Sequence, residues 1–220
     1  LALLIASHEL LSVSSLLYSA YGSRLKLIEV VRHPIHLFNN VSAYTATFER
    51  SREFTLSFEL NGVKIPWFAA SWAEEFAKAS ITDRALLSVA RMQDSMIKSI
   101  DEINAAGRLM LVVSFEDSVL NPEKSIKLLE QFLDRPRTKR TKRVLKQQNL
   151  PRTQISAGKA TSSFSFNSDS STSEAEIYKK IADEITATGS PSAIQEFKSA
   201  ISKYNSRWPS PLTALENTWV

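Results

Sequence analysis

A chain of 220 residues, 43% hydrophobic and 23% charged, is long enough to bury a sizeable core and too ordinary in composition for a fibrous or wholly disordered protein. It holds no cysteine, which excludes disulfides, thiolate zinc sites and a cysteine nucleophile within the sequence. A net charge of +4 with a pI near 9.3 points to an anionic partner, whether nucleotide, nucleic acid or acidic lipid surface.

The sequence opens on Leu1 rather than Met, as a processed or truncated product would. Its first residues, LALLIASHELLSV, are apolar but include His8 and Glu9 and no basic leader. Neither a signal peptide nor a membrane helix is expected there, and the lack of Cys fits a cytoplasmic setting. Residues 3–7 (LLIAS) read as a short buried strand, and a helix is expected over 13–21, ended by Gly22. Residues 26–31 (KLIEVV) read as a second core strand. Pro34 suits a first helical turn, so a helix is expected from there to about Arg50. Strand, helix, strand, helix in this order indicates βαβ units and a parallel sheet.

Residues 54–60 (FTLSFEL) alternate apolar and polar, and Val63-Lys64-Ile65 resumes the alternation after Asn61-Gly62. That pair is the preferred two-residue hairpin turn, because both positions need positive φ. Helices are expected over 72–78 and 83–104. In the longer one Leu86, Leu87, Ala90, Ile97, Ile100 and Ile103 fall mostly on one face, Thr82 or Asp83 is the candidate cap, and Gly107 ends the segment. Residues 109–115 (LMLVVSF) form an unbroken apolar run, the pattern of a central parallel strand buried on both sides. Asn121 and Pro122 open another helix, with Ile126, Leu129, Phe132 and Leu133 expected to face inward.

From Arg135 to Lys159 there are many Lys and Arg and no Asp or Glu. Part of this stretch, 138–148, has a helical pattern. Residues 156–173 are rich in Ser and Thr and read as a mobile loop, so 135–172 as a whole is a basic segment followed by a loop or lid. Amphipathic helices are expected near 173–187 and 192–204, parted by Ser190-Pro191. The expected architecture is a single α/β domain over 1–220, a three-layer sandwich with a central parallel sheet, a peripheral hairpin and a helical C-terminal part.

Generic cofactor signatures are absent: there is no GxGxxG fingerprint and no GxxxxGK[ST] loop, since Gly158-Lys159 lacks the upstream Gly. His33 and His36 stand three apart but no carboxylate cluster accompanies them, so no metal is expected. Four short segments carry more information. One expected strand end holds Ser7-His8, and about two dozen residues later another holds Val31-Arg32-His33-Pro34. Further on come Val113-Ser114-Phe115-Glu116-Asp117 and Asn121-Pro122-Glu123.

In order and spacing these motifs resemble the cytosolic and bacterial sulfotransferases, which use 3′-phosphoadenosine 5′-phosphosulfate (PAPS); the resemblance covers about residues 3–133. It implies a P-loop-NTPase-like fold and transfer of a sulfuryl group from the nucleotide donor to an acceptor hydroxyl or amine. It implies His8 as catalytic base, and Arg32 with Asn40, eight residues on, as holders of the donor's 3′-phosphate. Arg152 and Lys159 correspond loosely to the basic, Gly-containing segment that closes over that phosphate. The sequence departs from the pattern in three places. Asn40 stands where the family has Ser, although its amide still donates to a phosphate oxygen. Ala6 stands where a Lys usually precedes the His by two. The phosphate loop that cradles the 5′-phosphosulfate is not among these 220 residues, so the sulfate's holders are expected outside them.

The residues also make chemical sense without the family. A His titrating near neutrality suits proton removal from an acceptor, and an Arg at a strand's carboxyl end points into the crevice where α/β sheets bind ligands. Each has a plainer reading beside it: His8 as a hydrogen-bonded strand end, Arg32 as half of a surface ion pair with Glu29, Glu116 and Asp117 as caps and ion-pair partners, Trp67 and Trp72 as core or pocket walls. The basic segment reads as a solvated face or a lid. It contains no aromatic side chain for stacking on bases, which argues against nucleic acid. A degenerate, non-catalytic member that binds an anionic ligand or a partner protein is the alternative function. Acceptor identity and oligomeric state have no signature in the sequence.

Overall fold

The computed structural model describes residues 4–5, 10–48, 56–155 and 173–209. Among them the chain is mixed α/β, mostly helical, with one small parallel sheet and one antiparallel hairpin. It divides into two compact units, residues 1–31 with 94–159, and residues 32–93 with 160–220.

In the first unit a 3₁₀ turn, Leu10–Val13, leads into α1, Ser14–Tyr21. Gly22 ends α1 at φ 58°, a conformation a side chain would resist, and its N–H donates to the Tyr18 carbonyl. β1, Leu27–Val31, then pairs in parallel with β4, Met110–Ser114, in a register from Leu27 opposite Met110 to Val31 opposite Ser114. Three short helices follow: α5, Phe115–Leu120; α6, Pro122–Leu133; and α7, Lys139–Gln147. Side chains tie these pieces together. Tyr18 Oη donates to the Leu109 carbonyl at 2.8 Å, and Lys26 Nζ to the Phe132 carbonyl at 2.6 Å, near the end of α6.

The second unit is built on helices. α2, Pro34–Thr47, packs against α8, Glu174–Thr188, and α9, Pro191–Arg207, with the Phe38 and Phe197 rings 6.3 Å apart. The hairpin strands β2, Ser57–Leu60, and β3, Val63–Pro66, are joined by Asn61 and Gly62, at φ 52° and 78°. Both turn residues occupy the left-handed region, as the Asn-Gly pair predicts. A 3₁₀ stretch, Trp67–Trp72, connects to α3, Ala73–Lys78. The first half of the long helix α4, Ile81–Ala105, supplies core residues Leu86, Val89 and Ala90, and its later half belongs to the first unit. Arg91 of α4 clamps Glu75 of α3 and Glu196 of α9, at 2.7 and 2.8 Å, and lies 4.5 Å above the Trp72 ring.

Several expectations change. Of the strand expected over 3–7 only Leu4 and Ile5 are described. They are in no strand, and at 87% and 50% exposure neither is a core residue. Among the described residues β4 is not a central strand buried on both faces: it pairs with β1 alone, and only Val113 of it is buried. An apolar run reports hydrophobicity, but burial on both faces needs neighbours that the run does not encode. α4 is capped neither by Thr82 nor by Asp83. Ser80 Oγ accepts from the Asp83 N–H, while Thr82 Oγ1 donates to Thr188 Oγ1 and Asp83 Oδ1 accepts from the Ser190 N–H. Leu133 is 40% exposed rather than inward-facing. The loop expected over 156–173 lies outside the described residues up to 172.

Candidate functional site

The candidate site is the segment that leads into α2. β1 ends at Val31, Arg32 follows as the linking residue, His33 is the N-cap and Pro34 takes the first helical position. Proline is well placed there, since it lacks an N–H that the helix would leave unsatisfied and its φ is already helical. His33 is fully buried, and its Nδ1 accepts the Ile35 N–H at 3.2 Å. An imidazole nitrogen that accepts carries no proton, so this contact belongs to the tautomer with its proton on Nε2. The ring stands edge-on to Tyr204, 5.2 Å away, and to His36 at 6.1 Å. His33 is therefore a structural pivot. Among the described residues no group of three metal-binding side chains occurs.

The cap has an electrostatic consequence. The Ile35 N–H is taken by His33 Nδ1 and the His36 N–H by the His33 carbonyl, at 3.0 Å. The first turn of α2 contains no acidic side chain, so no residue of that turn offsets the positive end of the helix dipole. An anion at this junction would meet a favourable field but few unused backbone donors, and its binding would fall to side chains. Arg32 is half-buried where the strand ends, and Asn40 is exposed on α2. Six residues separate Pro34 from Asn40, about 9 Å along the axis at the helical rise.

The other residues expected in the site belong to the first unit or are not described. Arg152 belongs to the first unit, whereas Arg32 and Asn40 belong to the second. Its backbone N–H donates to the Val119 carbonyl at 2.8 Å and its Nη1 to the Ile155 carbonyl at 3.3 Å, while its buried Nε has no partner among the described residues. His8 and Lys159 lie outside the described residues, as does Ala6.

At the end of β4, Asp117 is an ion-pair partner, but neither it nor Glu116 is the cap. Ser114 caps α5 by accepting the Asp117 N–H, and its hydroxyl donates to Glu116 Oε2 at 2.9 Å. Asp117 pairs with Lys124 at 2.7 Å, and Ser118 bridges the Ser114 carbonyl and Ser125. The fully buried Glu116 is thus part of a hydrogen-bonded corner that fixes the chain as it leaves β4. Sequence reading missed Ser114 as the cap and Tyr204 as the wall behind His33. A Ser three residues before Asp117 was a legible cap signal, whereas nothing local links Tyr204 to His33.

No family model, no curated protein and no solved structure matches this chain.

Proposed function

We propose that this protein is a PAPS-dependent sulfotransferase, with the three-layer, P-loop-like architecture of that family, acting on an acceptor hydroxyl or amine. The observation that carries the reading is the junction Val31-Arg32-His33-Pro34: a guanidinium follows directly on the carboxyl end of a parallel strand and precedes a helix start free of acidic side chains. That is where an open α/β sheet binds anionic ligands, and Arg presents the planar fork that a phosphate dianion matches. Arg32 and Asn40 would hold the 3′-phosphate, with Arg152 and Lys159 as further candidates from the basic segment. In the reaction, the acceptor oxygen or nitrogen attacks sulfur, the bond from sulfur to the 5′-phosphate oxygen breaks, and adenosine 3′,5′-bisphosphate leaves. His8 would take the acceptor's proton.

The test is calorimetric titration with adenosine 3′,5′-bisphosphate. Arg32→Ala should weaken binding by about 2–4 kcal/mol, the scale for losing a charged hydrogen-bonded partner. Unchanged affinity in a folded variant removes Arg32 from the site. Absence of any binding by the unsubstituted protein removes the reading itself and leaves the alternative of a non-catalytic relative.

A further inference from the structure

Among the described residues, α7, Lys139–Gln147, carries a one-sided distribution of charge. At 100° per residue, Lys139, Arg140, Lys142, Arg143 and Lys146 fall within an arc of about 160°. All five are exposed, and none makes an ion pair among the described residues. The two half-buried residues, Thr141 and Leu145, lie on the opposite side, so the helix turns its cations outward. Val144, on the flank of the arc next to Arg140, is 50% exposed.

This arrangement works against the helix itself. Lys139 and Arg143, and Lys142 and Lys146, are like charges four residues apart, a repulsive spacing. Lys139 and Arg140 open the helix, and no acid occupies its first turn, where the dipole favours negative charge. The neighbouring acids do not relieve the strain. Arg137 holds Glu123 at 2.7 Å and Glu130 at 3.3 Å, and Lys124 holds Asp117. Asp134 is the one acid in the sequence between Glu130 and Asp169.

We propose that the outward cationic arc of α7 docks the protein on an anionic lipid surface. An exposed arc of five Lys and Arg with no aromatic side chain suits a flat, laterally mobile array of anions, to which each cation adds a similar increment. The exposed Val144 supplies an apolar contact at the level of the headgroups. A nucleic-acid surface is the less favoured anion, because nothing on this helix stacks on a base. The inference stands whether or not the protein transfers sulfuryl groups.

The experiment is co-sedimentation of the full chain with vesicles of phosphatidylcholine containing about one third phosphatidylserine, alongside pure phosphatidylcholine. Binding is expected to the anionic vesicles alone and to be released by about 0.5 M salt, where screening is short-ranged. Amide exchange across 139–147 should slow when anionic vesicles are added. The triple variant Lys142→Gln, Arg143→Gln, Lys146→Gln should bind about a hundredfold more weakly, from about fivefold per cation. Should that variant not fold, the exchange measurement on the unsubstituted protein decides. Equal binding to neutral vesicles, unchanged exchange across 139–147, or full binding by the folded variant overturns the proposal. So does tighter binding to a duplex oligonucleotide than to anionic vesicles at the same salt.

Discussion

The imidazole of His33 stands edge-on to the phenol ring of Tyr204, with centroids 5.2 Å apart and planes at 76°, while its Nδ1 caps α2 through the Ile35 N–H. One residue thus joins the start of α2 to α9, more than 160 positions away in the sequence, and fixes the backbone directly beside Arg32. His33→Ala should cost about 2–4 kcal/mol of stability, combining a lost cap with a cavity against Tyr204. His33→Asn keeps a capping acceptor and should lose about 1 kcal/mol less. Urea unfolding separates the two contributions, and equal losses would show that the cap contributes nothing.

Asn40 and His8 bear on the proposed chemistry in different ways. Asn40→Ser replaces the amide with the residue the family pattern has there, so affinity for adenosine 3′,5′-bisphosphate should hold or rise. A large loss would contradict its assignment to the 3′-phosphate. His8→Ala should lower turnover with PAPS by about 10²–10⁴-fold with nucleotide affinity nearly unchanged, the pattern of a lost base. Parallel loss of affinity and turnover would make His8 a binding or structural residue.

Glu29 is set between Leu27 and Val31 on one face of β1, both of them buried, and burial raises its pKa above the ordinary carboxylate value. A carboxyl whose pKa is raised in the folded state binds its proton more tightly there than in the unfolded chain. Its ionisation therefore removes stability as pH rises from the unfolded value through the folded one. Glu29→Gln should be more stable than the unsubstituted protein at pH 7, and the difference should shrink as pH falls below the unfolded carboxylate range. Denaturant unfolding of both proteins at several pH values checks this. A difference independent of pH would mean that packing, not ionisation, distinguishes them.

Gly189 sits between α8 and α9 with φ −88°, a conformation open to any residue, yet a methyl group there would lie 2.9 Å from the Ile185 carbonyl oxygen and 3.0 Å from Leu86 Cδ1. The constraint is contact, first with the backbone of α8 and then with the Leu86 side chain of α4, not backbone strain. Gly189→Ala should destabilise by about 1–3 kcal/mol, the range for overpacking. Thermal unfolding measures it, and a neutral result would show that the α8–α9 corner shifts freely.

The local elements were legible in the sequence because each is written in a few adjacent residues. Asn61-Gly62 between alternating runs specified the hairpin and its positive φ values, Pro34 marked the start of α2, Gly22 and Gly107 marked ends, and the basic stretch contained a helix. The junction Val31-Arg32-His33-Pro34 was likewise visible as a strand running into a helix. What required the tertiary structure were partnerships over long separations: His33 with Tyr204, Asp83 with the Ser190 N–H instead of a cap, and Arg91 between Glu75 and Glu196. The burial of β4 was misjudged for the same reason. Hydrophobic pattern and turn chemistry act over a handful of residues and survive in the sequence, whereas which strand neighbours which, and which polar atom meets which, is decided when distant segments pack.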